Sequence, residues 1–133
     1  MPAKIDFYEL ALKAAWIADD KKALDTVILN VCNLTTIANY FVITTAQSTP
    51  QMNAISADIK KTFKEQDVRS LRRDGISSST WQVMDYGGII AHIMSPEMRE
   101  LYKLEKLWNN ADVIDIKNLK HKNNCVKMNN INQ

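Results

Sequence analysis

The groups with which this chain could do chemistry gather around a pair of glycines. Trp81 to Tyr86 and Ile89 to Met94 are strand-like runs that flank Gly87-Gly88. Two glycines between such runs predict a tight hairpin whose turn needs positive φ. A two-residue loop sets the pairing: Tyr86 opposes Ile89, Asp85 opposes Ile90, Val83 opposes His92 and Trp81 opposes Met94. Side chains alternate along a strand and opposed residues share a face. One face therefore carries Trp81, Val83, Asp85, Ile90, His92 and Met94. The other carries Gln82, Met84, Tyr86, Ile89, Ala91 and Ile93. Asp85 and His92 become diagonal neighbours. A carboxylate beside an imidazole is one element of a catalytic triad or of a metal's outer shell. A nucleophilic hydroxyl would have to come from another segment, and His121 is the only other histidine available to a metal. The plainer role is structural, with Asp85 and His92 hydrogen-bonding each other or backbone. Trp81 reads equally as core or as an aromatic anchor for a partner. Cys32 and Cys125 are too few for a disulfide framework or a metal quartet and are expected as reduced thiols.

The elements that must position this hairpin are legible in outline. Ile5, Tyr8, Leu12 and Ala15, widened by Ala11, Ala14 and Trp16, predict an amphipathic helix over residues 5–18. Thr26 to Val31 and Tyr40 to Thr45 are β-branched runs typical of strands buried on both faces. Ser48-Thr49-Pro50-Gln51 reads as a helix start, with Ser48 as cap, Pro50 in the first turn and Gln51 closing a capping box. Met52, Ile55, Ile59 and Phe63 continue that helix to about Gln66. Val68 to Leu71 is a weaker strand candidate, and Asp74 to Thr80 a mobile loop. Ser95-Pro96-Glu97 starts a third helix, with Met98, Leu101, Leu104 and Trp108 along one side. The order αββαβββα predicts an α/β fold: one domain with a mixed sheet of about five strands flanked by helices.

With 133 residues, 46% apolar and 24% charged, the chain suits one globular domain. It shows neither a membrane-spanning run nor a secretory leader, and a cytoplasmic protein is expected. The net charge of +2 is uneven. Residues 117–133 hold Lys117, Lys120, Lys122 and Lys127 with six asparagines and no acid, which leaves residues 1–116 at −2. A nucleic-acid grip through phosphates would show a basic face, and the body has only short basic pieces, Lys60-Lys61 and Arg69 to Arg73. A slightly acidic body suits a basic protein partner. The division expected is a globular domain over 1–116 and a disordered basic, Asn-rich tail over 117–133.

Four strings carry a family resemblance: Ile37-Ala38-Asn39-Tyr40-Phe41-Val42-Ile43, Trp81-Gln82-Val83-Met84-Asp85-Tyr86-Gly87, His92-Ile93-Met94, and the run from Glu97 to Trp108 that ends Tyr102-Lys103-Leu104-Glu105-Lys106-Leu107-Trp108. In combination they resemble the ribosomal silencing factors, also called Iojap-like proteins, over roughly residues 5–113. The resemblance implies a translation repressor that is not an enzyme. It would bind the large ribosomal subunit through a ribosomal protein on the intersubunit face and block joining of the small subunit when nutrients are short, or act during subunit assembly. It implies a nucleotidyltransferase-like fold without the catalytic residues, and a homodimer in the free state.

Three positions depart from the family pattern. Gly88 stands for the usual Asp after the glycine turn, Asn39 for the usual Asp before the Tyr-Phe strand, and Ala46-Gln47-Ser48 for the frequent Gly-Thr-Ser. An active nucleotidyltransferase would need a glycine-rich phosphate cradle and clustered carboxylates for Mg²⁺. The chain shows neither, so no cofactor, metal or small-molecule substrate is expected. An RNA-binding assembly factor is the remaining alternative, supported by the tail and opposed by the acidic body. Anchoring logic selects Trp81 as an aromatic plug, Asp85 and Glu105 as charges toward a basic partner, and Tyr102 and Trp108 as further candidates, with Trp108 also readable as core.

Overall fold

The computed structural model describes residues 5–68, 79–114 and 116. Helix α1 (Phe7–Asp20) is capped by Asp6, whose carboxylate accepts the Glu9 N–H at 3.2 Å. It ends where Lys22 turns left-handed and the Ala23 N–H reaches back to the Ala18 carbonyl. Its buried face is small, with Ala11, Ala14, Ala15 and Ala18 fully enclosed, so the helix lies close against the sheet. Strands β1 (Leu24–Asn30) and β2 (Tyr40–Thr45) follow. Helix α2 (Thr49–Glu65) starts as expected, with the Ser48 hydroxyl accepting the Gln51 N–H. Gln51 does not close a capping box on Ser48; its carbonyl takes the Gln47 N–H instead, and its amide donates to the Lys21 carbonyl after α1. The hairpin β3 (Trp81–Asp85) and β4 (Ile89–Met94) is followed by helix α3 (Pro96–Tyr102), helix α4 (Leu104–Leu107) and strand β5 (Asp112–Ile114).

The five strands form one mixed sheet in the order β3-β4-β2-β1-β5, with β2 parallel to β4 and the other pairs antiparallel. The hairpin register is the one expected, from Trp81 opposite Met94 to Asp85 opposite Ile90. The two faces separate as the alternation requires. Behind the sheet, α1 and α2 bury Tyr40, Val42, Met84, Ile89, Ala91 and Ile93 against Met52, Ile55, Ile59 and Phe63. In front, Leu29, Phe41, Ile43, Ile90 and Met94 meet Met98, Leu104 and Trp108 from α3, α4 and the turn after them. All six residues of β2 are buried because it is the central strand with packing on both sides. Gln82 is also fully buried, and α2 satisfies it through Ser56 and Asn53.

Three further details bear on the sequence reading. Among the described residues the fifth strand is β5 at the C-terminal end; of the Val68 to Leu71 candidate only Val68 is described, buried and outside any strand, and residues 69–78, with most of the expected loop, lie outside the described residues. The third helix is broken, because Lys103 adopts φ 45° and ψ 59° and divides it into α3 and α4. Leu101, expected on the inner side, is exposed. Finally, Cys32 is disulfide-bonded rather than a reduced thiol, and the expectation for Cys125 lies outside the described residues. The tail from residue 117 lies there too. No described helix is long and apolar enough to cross a membrane.

Candidate functional site

The front of the sheet carries a row of rings. Tyr102 on α3 tilts against Trp81 on β3 with centroids 4.9 Å apart. Trp81 then tilts against His92 on β4 at 5.9 Å, His92 meets Phe41 on β2 edge-on at 5.5 Å, and Phe41 meets Trp108 edge-on at 5.3 Å. Strand alternation places Trp81, His92 and Phe41 on one face, and the short helices bring Tyr102 and Trp108 over its two ends. The row is buried at Phe41, half-buried at His92, Trp81 and Trp108, and open at the Tyr102 end. Tyr102 is 52% exposed, and Trp81, Val83 and Asp85 along β3 are half-buried, while Gln82 and Met84 behind them are enclosed. Trp108 is half-buried against the front core, so it serves packing and leaves little of its surface for a partner.

Polar groups fix this arrangement. The Trp81 indole N–H donates to His92 Nδ1 at 3.2 Å. Burial lowers the His92 pKa from 6.5 to about 4, so the ring is neutral at physiological pH and Nδ1 is available as an acceptor. Asp85 accepts the Gly87 N–H at 2.9 Å and so closes the hairpin turn. Asp85 and His92 thus form no catalytic dyad; each holds a different neighbour. Among the described residues no group of three or more His, Cys, Asp or Glu converges as a metal site would require.

Glu105 has an internal partner that sequence reasoning missed. Arg99 reaches Glu105 Oε2 through Nε at 3.0 Å and through Nη2 at 2.6 Å. The same guanidinium donates to Thr45 Oγ1 at 2.9 Å and to the Asp25 carbonyl at 2.8 Å. Burial raises the Glu105 pKa, but the Arg99 hydrogen bond, a backbone N–H and the Arg99 charge outweigh it, and the net shift is downward. Of the five candidates, Trp81 and Tyr102 therefore sit together at the open end and Trp108 closes the other. Asp85 lies on the same face at the hairpin tip, and Glu105 is engaged by Arg99. Phe41 and His92 complete the row. Their only advance signal was the shared strand face.

The segment that would cradle a phosphate in a nucleotidyltransferase is already occupied. The Ala46 N–H donates to the Met94 carbonyl, the Gln47 N–H to the Gln51 side chain, and the Ser48 hydroxyl caps α2. The model of the family described as "Ribosomal silencing factor during starvation" matches residues 4–132.

The chain belongs to the ribosomal silencing factor family.

Its curated relatives agree. It is 34% identical over 108 residues to the ribosomal silencing factor RsfS of Halalkalibacterium halodurans, which covers 81% of this chain and 92% of that protein. It is 33% identical over 91 residues to the mouse (Mus musculus) "Mitochondrial assembly of ribosomal large subunit protein 1", covering 66% of this chain and 40% of that longer protein. A crystal structure of a Chromobacterium violaceum protein, 27% identical, superposes with a TM-score of 0.75 over 79% of this chain and 88% of that one.

Proposed function

We propose that this silencing-family chain docks on the large ribosomal subunit through one of its ribosomal proteins on the intersubunit face, and that its bulk blocks joining of the small subunit, above all under nutrient limitation. The observation that carries this reading is the tilted Trp81–Tyr102 pair at the open end of the ring row. Two partly exposed aromatics, one on the sheet edge and one on the helix packed over it, with a carboxylate at the hairpin tip, make an anchor suited to a basic protein surface. A specific interface of ~800 Å² per partner suffices for useful affinity. No bond is made or broken, and the reading calls for no cofactor, metal or small-molecule substrate. It sets the protein's work in the cytoplasm. Trp81 and Tyr102 are the contact residues, Asp85 supplies charge, and Glu105 and Trp108 hold α3 and α4 in place. The test is sedimentation with isolated large subunits: Trp81→Ala, folded, should bind about 30-fold more weakly, a loss of ~2 kcal/mol typical of a central aromatic. Wild-type affinity in that variant would remove Trp81 from the interface.

The same exposed aromatics support a homodimer in the free protein. If it uses the face that docks, dimer and ribosome complex compete by mass action; a dimer intact on the subunit would contradict that. A second reading, an RNA-binding factor in large-subunit assembly, draws on the mouse relative's name and on the basic tail. Phosphate contacts would give a steep log–log dependence of affinity on salt, and docking on a protein a shallow one.

A further inference from the structure

We propose that His92 is a positioning residue for docking: its Nδ1 holds the Trp81 indole in the orientation that presents it, beside Tyr102, to the partner. This rests on the reading of Trp81 as an anchor and assigns a role to a residue that touches no partner itself. The geometry is specific. Trp81 has its backbone opposite Met94, two residues along β4 from His92, so its ring must lean across the strand pair to meet the imidazole. The 3.2 Å bond from indole N–H to Nδ1 fixes that lean, and Tyr102 packs on the same ring. The imidazole is itself clamped, edge-on to Phe41 and between Val83 and Ile43 in the strand register. An indole that must otherwise choose among rotamers loses that freedom on binding, whereas one already held does not. Acceptance at Nδ1 requires the neutral ring with its proton on Nε2. Burial keeps the ring neutral.

The experiment compares wild type, Trp81→Ala, His92→Leu and His92→Asn for binding to isolated large ribosomal subunits, with the melting temperature and the indole N–H resonance of Trp81 recorded for each. Asparagine keeps an acceptor near the position of Nδ1, and leucine fills space without one. The expected result is that His92→Leu weakens binding about five- to tenfold, the scale of freezing one large side chain, and shifts the indole resonance, while His92→Asn restores both. Undiminished binding by Trp81→Ala would overturn the docking reading itself. Loss in Trp81→Ala together with wild-type binding in His92→Leu, or equal loss in the Leu and Asn variants, would overturn the role of His92 alone. A direct measurement stands without any variant: ¹⁵N shifts of the wild-type imidazole should report an unprotonated Nδ1 and a protonated Nε2, and the opposite tautomer would end the proposal.

Discussion

At Gly88 a β-carbon would lie 2.4 Å from ring carbons of Phe7. Gly87 carries the positive φ of the turn, at 85°, so the two glycines do different work. Gly87 frees the backbone, and Gly88 makes room for the first aromatic of α1. A side chain at residue 88, such as the aspartate that the family resemblance leads one to expect, would require Phe7 to move. Gly88→Ala should cost about 2 kcal/mol by overpacking, read by denaturant unfolding. In a Phe7→Ala background, itself destabilised by the lost core ring, the same substitution should cost less, since neighbouring sites couple. His92 makes the second prediction at this scale. Its folded pKa of about 4 lies below the unfolded 6.5, so the unfolded chain takes up the proton first. Its contribution is therefore full above pH 6.5, falls as pH drops from 6.5 to about 4, and is gone below that, a loss of about 3 kcal/mol. His92→Asn should flatten that part of the pH–stability curve. The facing of Trp81 and His92 was legible because two glycines fix the hairpin register. Their mutual hydrogen bond was not, because alternation pointed to Asp85 as the diagonal partner and says nothing of a tryptophan leaning across.

Among the elements, the break between α3 and α4 is the feature that tertiary contacts impose on the sequence. Glu97 to Trp108 contains neither glycine nor proline and reads as one helix. In a continuous helix Arg99 and Glu105, six residues apart, would point about 120° away from each other. The left-handed Lys103 brings them within 2.6 Å, with Thr45 and the Asp25 carbonyl taking two further guanidinium donors. That residue's conformation costs about 1 kcal/mol, which the Arg99 contacts offset. Lys103→Gly should accordingly be neutral or stabilising by a few tenths of a kcal/mol, whereas Arg99→Ala should lose about 2 kcal/mol and loosen the helices that carry Tyr102 and Trp108. Hydrogen exchange would detect that loosening as faster exchange in α3 and α4 with α1 and α2 unchanged. The β-branched run of β2 announced a strand buried on both faces, and the caps at Ser48 and Ser95 and the β3–β4 pairing were readable, because each depends on neighbours in sequence. β5 was not: three residues are too short for alternation to be a signal, and its pairing with β1 spans most of the chain.

For the whole molecule, the sheet divides the work between its faces. The rear, closed by two long helices, holds the main core. The front is closed by two short helices that leave the β3 end partly bare, and there Trp81 and Tyr102 meet. The segment ahead of α2, where a nucleotidyltransferase would hold phosphate, is filled by the protein's own hydrogen bonds. On the proposed reading the Trp81–Tyr102 pair is the aromatic anchor, and membership of the ribosomal silencing factor family directs that proposal to the ribosome. The most direct test mixes purified protein at saturating dose with isolated large subunits, adds small subunits, and resolves the products on a sucrose gradient. The account predicts that the protein migrates with the large subunit and that joined ribosomes fail to form, with joining restored by Trp81→Ala. Full joining in the presence of saturating wild-type protein would contradict it.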